Sequence, residues 1–113
     1  MPDLRPHERI RRRVEFQRVY DGGFRVSSRY NTVFLLPNAQ PVGRLGIAAT
    51  RKLGGAVQRN KAKRLIREVF RRNKIAEGFD VVVVPKRELI DASLSVLEAD
   101  YRTLVERRLR QRR

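Results

Sequence analysis

The sequence contains no cysteine. Disulfides, thiolate metal sites and a cysteine nucleophile are therefore excluded. It has a single histidine, His7, so no histidine pair can hold a metal or relay a proton. His7 follows Pro6 near the N-terminus, where a solvated, frayed tail is the simpler reading. No long apolar run and no lipidation signal is present, which leaves a membrane anchor without support. Met1 to Glu15 is charged and lacks the apolar centre of a secretory signal, so a cytoplasmic protein is expected. Acidic residues number 12 and are scattered, whereas a two-metal nuclease needs clustered carboxylates. The expectation is a protein with no catalytic residue and no metal site of its own.

Positive charge is what the chain has in excess. Its 27 lysines and arginines outnumber the acids by 15, and the isoelectric point lies near 11.6. Such a charge repels itself unless a polyanion neutralises it, and nucleic acid does so with release of counterions. Hydrophobic residues make up 41%, enough for a modest core. A length of 113 residues suits one domain, expected over 1–113 with an ordered core from about 8 to 110.

Arg9 to Tyr20 is a short basic helix candidate with a partly apolar side, stopped by Asp21-Gly22-Gly23. Tyr30 to Leu36 reads as a strand, ended by Pro37. Arg44 to Thr50 reads as another, with Gly46, Ala48 and Thr50 sharing one face. Those small side chains admit either a packed helix or a flat ligand such as a base, packing being the commoner case. A long helix is predicted from Val57 to Asn73, because Ala62, Leu65, Ile66, Val69 and Phe70 repeat with helical period. Val81 to Val84 is apolar at every position, the pattern of a strand buried on both faces. A last helix runs from Ser93 or Leu94 to about Leu109, with Ser93 as N-cap. The cationic tail from Arg107 to Arg113 is expected to fray by self-repulsion.

The informative segment is the start of the long helix. Asn60, Arg64, Arg67 and Arg71 point away from its apolar stripe, and Arg59, Lys63 and Arg67 form an i, i+4, i+8 row. Glu68 is nearly the only acid there. Like charges in such a row destabilise an isolated helix by about 0.2–0.5 kcal/mol per pair, so the row makes sense where it meets phosphates. Arginine adds a planar fork for phosphate oxygens and a surface that stacks on bases.

The stretch from Gly46 to Glu68 resembles the signature of the bacterial ribonuclease P protein family, above all in Arg59-Asn60, Lys63-Arg64 and Arg67. The likeness extends upstream through Phe16-Gln17-Arg18-Val19-Tyr20 and downstream through Asp80 to Lys86. The chain departs from the family pattern at Ala48, Ala49 and Gly55, where hydroxyl side chains often stand. The resemblance implies an α/β sandwich with a small mixed four-stranded sheet and three helices, in the order α-β-β-β-α-β-α. It also implies a left-handed β-α-β crossover, against the usual right-handed rule. Function would lie in a ribonucleoprotein in which the RNA is the catalyst and uses magnesium. By position, Phe16, Tyr20, Phe34, Lys52, Lys63 and Arg67 would line a cleft for the single-stranded 5′ leader of precursor tRNA. Arg59, Asn60 and Arg64 would meet the catalytic RNA, one protein per RNA. For each aromatic the alternative is core packing. A ribosomal or other structural RNA-binding protein and an autonomous metal nuclease remain as competing readings of the same charge and size.

Overall fold

The valine run becomes an interior strand, as its lack of alternation requires. The computed structural model describes residues 4–110. Among them the order is α1 (Arg13–Gly22), β1 (Phe24–Ser27), β2 (Asn31–Pro37), β3 (Arg44–Ile47), α2 (Ala56–Arg72), β4 (Phe79–Pro85) and α3 (Leu94–Arg110). The strands form one sheet in the order β1-β2-β4-β3. β1 and β2 are antiparallel, as are β2 and β4, whereas β3 runs parallel to β4. The sheet is therefore mixed, and α2 is the crossover between its parallel pair.

The two faces of the sheet differ in what covers them. Val33, Leu35, Leu45, Val81 and Val83 point to one face and meet Ala62, Ile66, Val69 and Phe70 of α2. Leu97, Tyr101, Leu104 and Val105 of α3 complete that core. A fully buried side chain such as Leu35 contributes about 1.5–3 kcal/mol by leaving water. On the other face, Val82 and Phe34 pack with Val19, Phe16 and Tyr20 of α1, and with Ile10. α1 lies there alone, so Ser27, Ala48 and Val84 keep some exposure.

Several boundaries differ from the sequence reading. α1 begins at Arg13 rather than Arg9, because Arg9 and Ile10 are used as an edge segment beside β3. Arg9 bridges Leu45 in parallel, and Ile10 N–H donates to the Leu45 carbonyl at 2.9 Å. From Leu4 onward the N-terminal segment has contacts with the rest of the fold. Leu4 is buried in the main core, and Glu8 accepts from Lys74 Nζ at 2.8 Å. β3 ends at Ile47, since Thr50 already opens a turn in which its carbonyl accepts from Leu53 N–H. α3 stays helical to Arg110, and the Arg108 guanidinium lies 3.7 Å over the Phe24 ring. That contact offsets the repulsion expected of the tail. Residues 111–113 of that tail lie outside the described residues. Ser93 does cap α3, its Oγ accepting from Val96 N–H at 3.3 Å.

One charged fork joins three elements. Arg44 of β3 donates from Nε and Nη2 to the Asp80 carboxylate at 2.8 and 2.7 Å, and from Nη1 to Glu15 of α1 at 3.0 Å. Asn38 Nδ2 adds a donor to Asp80 at 3.0 Å. Burial alone would raise the pKa of Asp80, yet the bonds from Arg44 and Asn38 hold it below the usual carboxylate range. Glu15 is held low in the same way, against its own burial, and Glu8 is held low chiefly by the Lys74 hydrogen bond. A carboxylate with a depressed folded pKa stabilises the fold above its unfolded pKa, and that stabilisation is lost as pH falls through the folded value. Unfolding midpoints in urea should therefore fall as pH drops below the ordinary carboxylate range. A midpoint that stays flat to the acid limit would show that these three groups add nothing.

Candidate nucleic-acid interface

The outward face of α2 follows from its sequence. With Ala62, Ile66, Val69 and Phe70 buried against the sheet, Asn60 and Arg64 stand in solvent. Lys63 and Arg67 lie half-buried on the flank that borders β3. Arg59 is half-buried at the head of this row and donates from Nη1 to the Gly54 carbonyl at 3.1 Å. No described carboxylate forms an ion pair with Arg59, Lys63, Arg64 or Arg67. Arg71, grouped with them in sequence, differs. It is bound to Glu68 at 2.7 Å, and Glu68 also neutralises Arg72. The free charge of α2 is thus concentrated in its first three turns.

Beside this row lies a cleft of about 370 Å³ at the edge of the sheet. Leu4, Ile10, Leu45, Ile47 and the Phe16 ring give it an apolar lining. Arg9, Arg11, Lys63 and Arg67 add four cations to the same lining. Phe16 can lie this close to β3 because Gly46 has no side chain. A Cβ there would come within 2.8 Å of the Phe16 ring. The small face read from Gly46 is thus answered here by packing.

Phe16 also heads an aromatic group on the α1 face. Its ring centroid lies 6.5 Å from that of Tyr20, which meets Phe34 edge-on at 5.0 Å. All three rings pack against Val19 and Val82, yet each remains partly exposed. Core packing and an accessible ring surface are therefore both present. Burial raises the pKa of Tyr20, so its hydroxyl stays protonated and available as a donor.

The residues expected to share one cleft are thus divided. Phe16, Lys63 and Arg67 line the edge cleft, while Tyr20 and Phe34 continue from Phe16 across the sheet. Lys52 stands exposed in the turn Arg51–Leu53 between β3 and α2, outside the edge cleft. Sequence reasoning missed the polar end of the aromatic face. Ser27 and Thr32, paired across β1 and β2, share a hydrogen bond at 3.0 Å. Lys86 Nζ donates to Ser27 Oγ at 3.0 Å and to the Ser28 carbonyl at 2.6 Å. By alternation Thr32 lies on the same face as Phe34 and Ala48, so hydroxyls are present where Ala48 has none. The signal lay in the alternation of Phe24-Arg25-Val26-Ser27, which at four residues is too short to identify a strand.

Among the described residues, no three His, Asp or Glu side chains converge as a metal site, and no helix is long and apolar enough to cross a membrane. The arrangement offers fixed cations, aromatic faces and hydroxyls, which is the chemistry of polyanion binding.

Comparison with known proteins gives the same direction. A family model described as Ribonuclease P matches residues 4–109. A ribonuclease P protein component of Thermotoga maritima is 44% identical over 84 residues, spanning 73% of this chain and 72% of that protein. The solved structure of an RNase P protein from T. maritima superposes with a TM-score of 0.80 at 37% identity, covering 88% of this chain and 96% of the other. An RNase P protein structure from Staphylococcus aureus gives a TM-score of 0.77 at 33% identity, covering 88% and 93%. With the fold, the cation row and these likenesses in agreement, the chain belongs to the family of bacterial ribonuclease P protein components.

Proposed function

We propose that the chain is the non-catalytic subunit of a cytoplasmic ribonuclease P holoenzyme, one protein per catalytic RNA. Arg59, Asn60 and Arg64 on α2 meet the catalytic RNA. Phe16, Tyr20, Phe34, Lys52, Lys63 and Arg67 hold the single-stranded 5′ leader of precursor tRNA. The RNA cuts the leader, and magnesium bound by the RNA supplies the Lewis acid for that step. The chain's own residues bind and orient. Aromatic rings take unpaired bases at about 1–3 kcal/mol per stacked base, and neighbouring cations track the backbone with little base preference.

The observation that carries this reading is the continuity of the unpaired row Lys63–Arg67 with the ring of Phe16 around one cleft. A protein that only neutralised folded RNA would need the row and not the ring.

Reconstitution tests the assignment. The purified chain should leave precursor tRNA intact, yet lower the magnesium and substrate concentrations that the cognate catalytic RNA requires. Cleavage by the chain alone would favour an autonomous nuclease. No effect in the mixture would favour a structural RNA-binding role. Within the holoenzyme, Phe16→Ala should weaken binding of precursor tRNA about tenfold, as loss of one stacked base predicts, and leave mature tRNA unchanged. Equal losses on both would assign Phe16 to folding.

A further inference from the structure

Ile47 marks the point where the border of the sheet stays open. β3 is an edge strand. Ala48 N–H donates inward to the Val83 carbonyl, whereas the Leu45 carbonyl accepts from Ile10 on the outside. Peptide groups alternate along a strand, so Ile47, like Leu45, turns its N–H and carbonyl outward. The segment Arg9–Ile10 covers Leu45, and the chain then turns away into α1. Ile47 is left facing the cleft of about 370 Å³.

That cleft combines features that the aromatic face beyond Phe16 does not. Its volume falls in the range of about 300–1,000 Å³ typical of small-molecule sites. Its lining combines apolar side chains with the Phe16 ring. Arg11, Lys63 and Arg67 also line it, none of them in an ion pair with a described carboxylate. An edge peptide adds a donor and an acceptor side by side. A flat heteroaromatic ring with donors and acceptors on its edge, joined to a phosphate, matches all of these at once.

The geometry points to a receptor for one unpaired nucleotide at the β3 edge. Its base lies against Phe16 and Ile47, with its polar edge on the Ile47 peptide and its phosphate between Arg11 and the Lys63–Arg67 row. A base within a duplex is excluded, because its hydrogen-bonding edge is already used. The inference rests on the leader-binding reading and deepens it. One leader nucleotide is drawn over the border of the sheet, while its neighbours stack on Tyr20 and Phe34 on the other side of Phe16.

The test uses holoenzyme reconstituted with the cognate catalytic RNA and precursor tRNAs that each carry one abasic leader position. A single position should stand out, losing about tenfold in affinity. Arg11→Ala, at an exposed residue outside the proposed leader set, should weaken intact precursor about threefold and shrink the penalty at that same position. 4-Thiouridine placed there should photocross-link to Phe16 or Ile47. Penalties spread evenly over the leader would overturn the receptor while leaving leader binding in place. So would a special position that cross-links to Tyr20 or Phe34 and ignores Arg11→Ala. Equal affinity of the wild-type holoenzyme for precursor and mature tRNA would overturn the leader reading itself, and the receptor with it.

Discussion

Replacing Arg44 by alanine should destabilise the folded chain by about 3 kcal/mol, the low end for breaking a buried charge pair. The reason is what remains behind. The Asp80 side chain is only 5% exposed and would keep a charge with Asn38 as its one remaining side-chain donor. Arg44 itself is 17% exposed, so some water already reaches the fork, which holds the effect to the lower end. Asp80→Asn in the Arg44→Ala background should recover part of the loss, because it removes the stranded charge rather than restoring the contact. Urea unfolding of the single and double variants measures both. A double variant no more stable than Arg44→Ala would mean that Asp80 is not the source of the penalty. The same substitution frees Glu15, and with it the tie that holds α1 over β3 beside Phe16.

Removing Lys63, Arg64 and Arg67 together, each to alanine, should weaken the overall assembly of the chain with catalytic RNA and precursor tRNA about a hundredfold near physiological salt. Each phosphate contact adds about 0.9 to the slope of log affinity against log salt, so three contacts carry about two powers of ten at about 0.15 M. The slope itself should fall by about three, and each single substitution should remove about one. Stability should move the other way. Relief of like charges at helical spacing stabilises an isolated helix by about 0.2–0.5 kcal/mol per pair, and no described carboxylate loses a partner. A triple variant that binds less and is less stable would show that these side chains hold the fold together.

What the sequence disclosed, and what it hid, divides along the range of the interactions. The stripe Ala62, Ile66, Val69 and Phe70 and the run Val81 to Val84 are local patterns, and both became core elements as read. β1 escaped the residue-level reading because four residues at an exposed edge bury too little to impose a pattern. Arg9 and Ile10 look helical by composition, but pairing with Leu45, far away in sequence, overrides that preference. The same holds for the site. Lys63 and Arg67 could be found because they share a helix. The Arg44–Glu15–Asp80 fork and the border formed by Ile47 could not, since each depends on which strands become neighbours. Arg71 was grouped with the free cations on angle alone, and Glu68 takes it out of that group.

The short segment lying along β3 has a consequence for the life of the chain before it meets RNA. Sheets with bare borders recruit strands from neighbouring molecules and can seed cross-β fibrils. Here one border is occupied by the chain's own Arg9 and Ile10, and the other is a four-residue strand that includes Arg25. What stays bare is that short β1 border and a stub around Ile47, on a molecule whose formal charge of +15 keeps copies of itself apart. The fold thus leaves a second copy little border to pair with before RNA neutralises its charge.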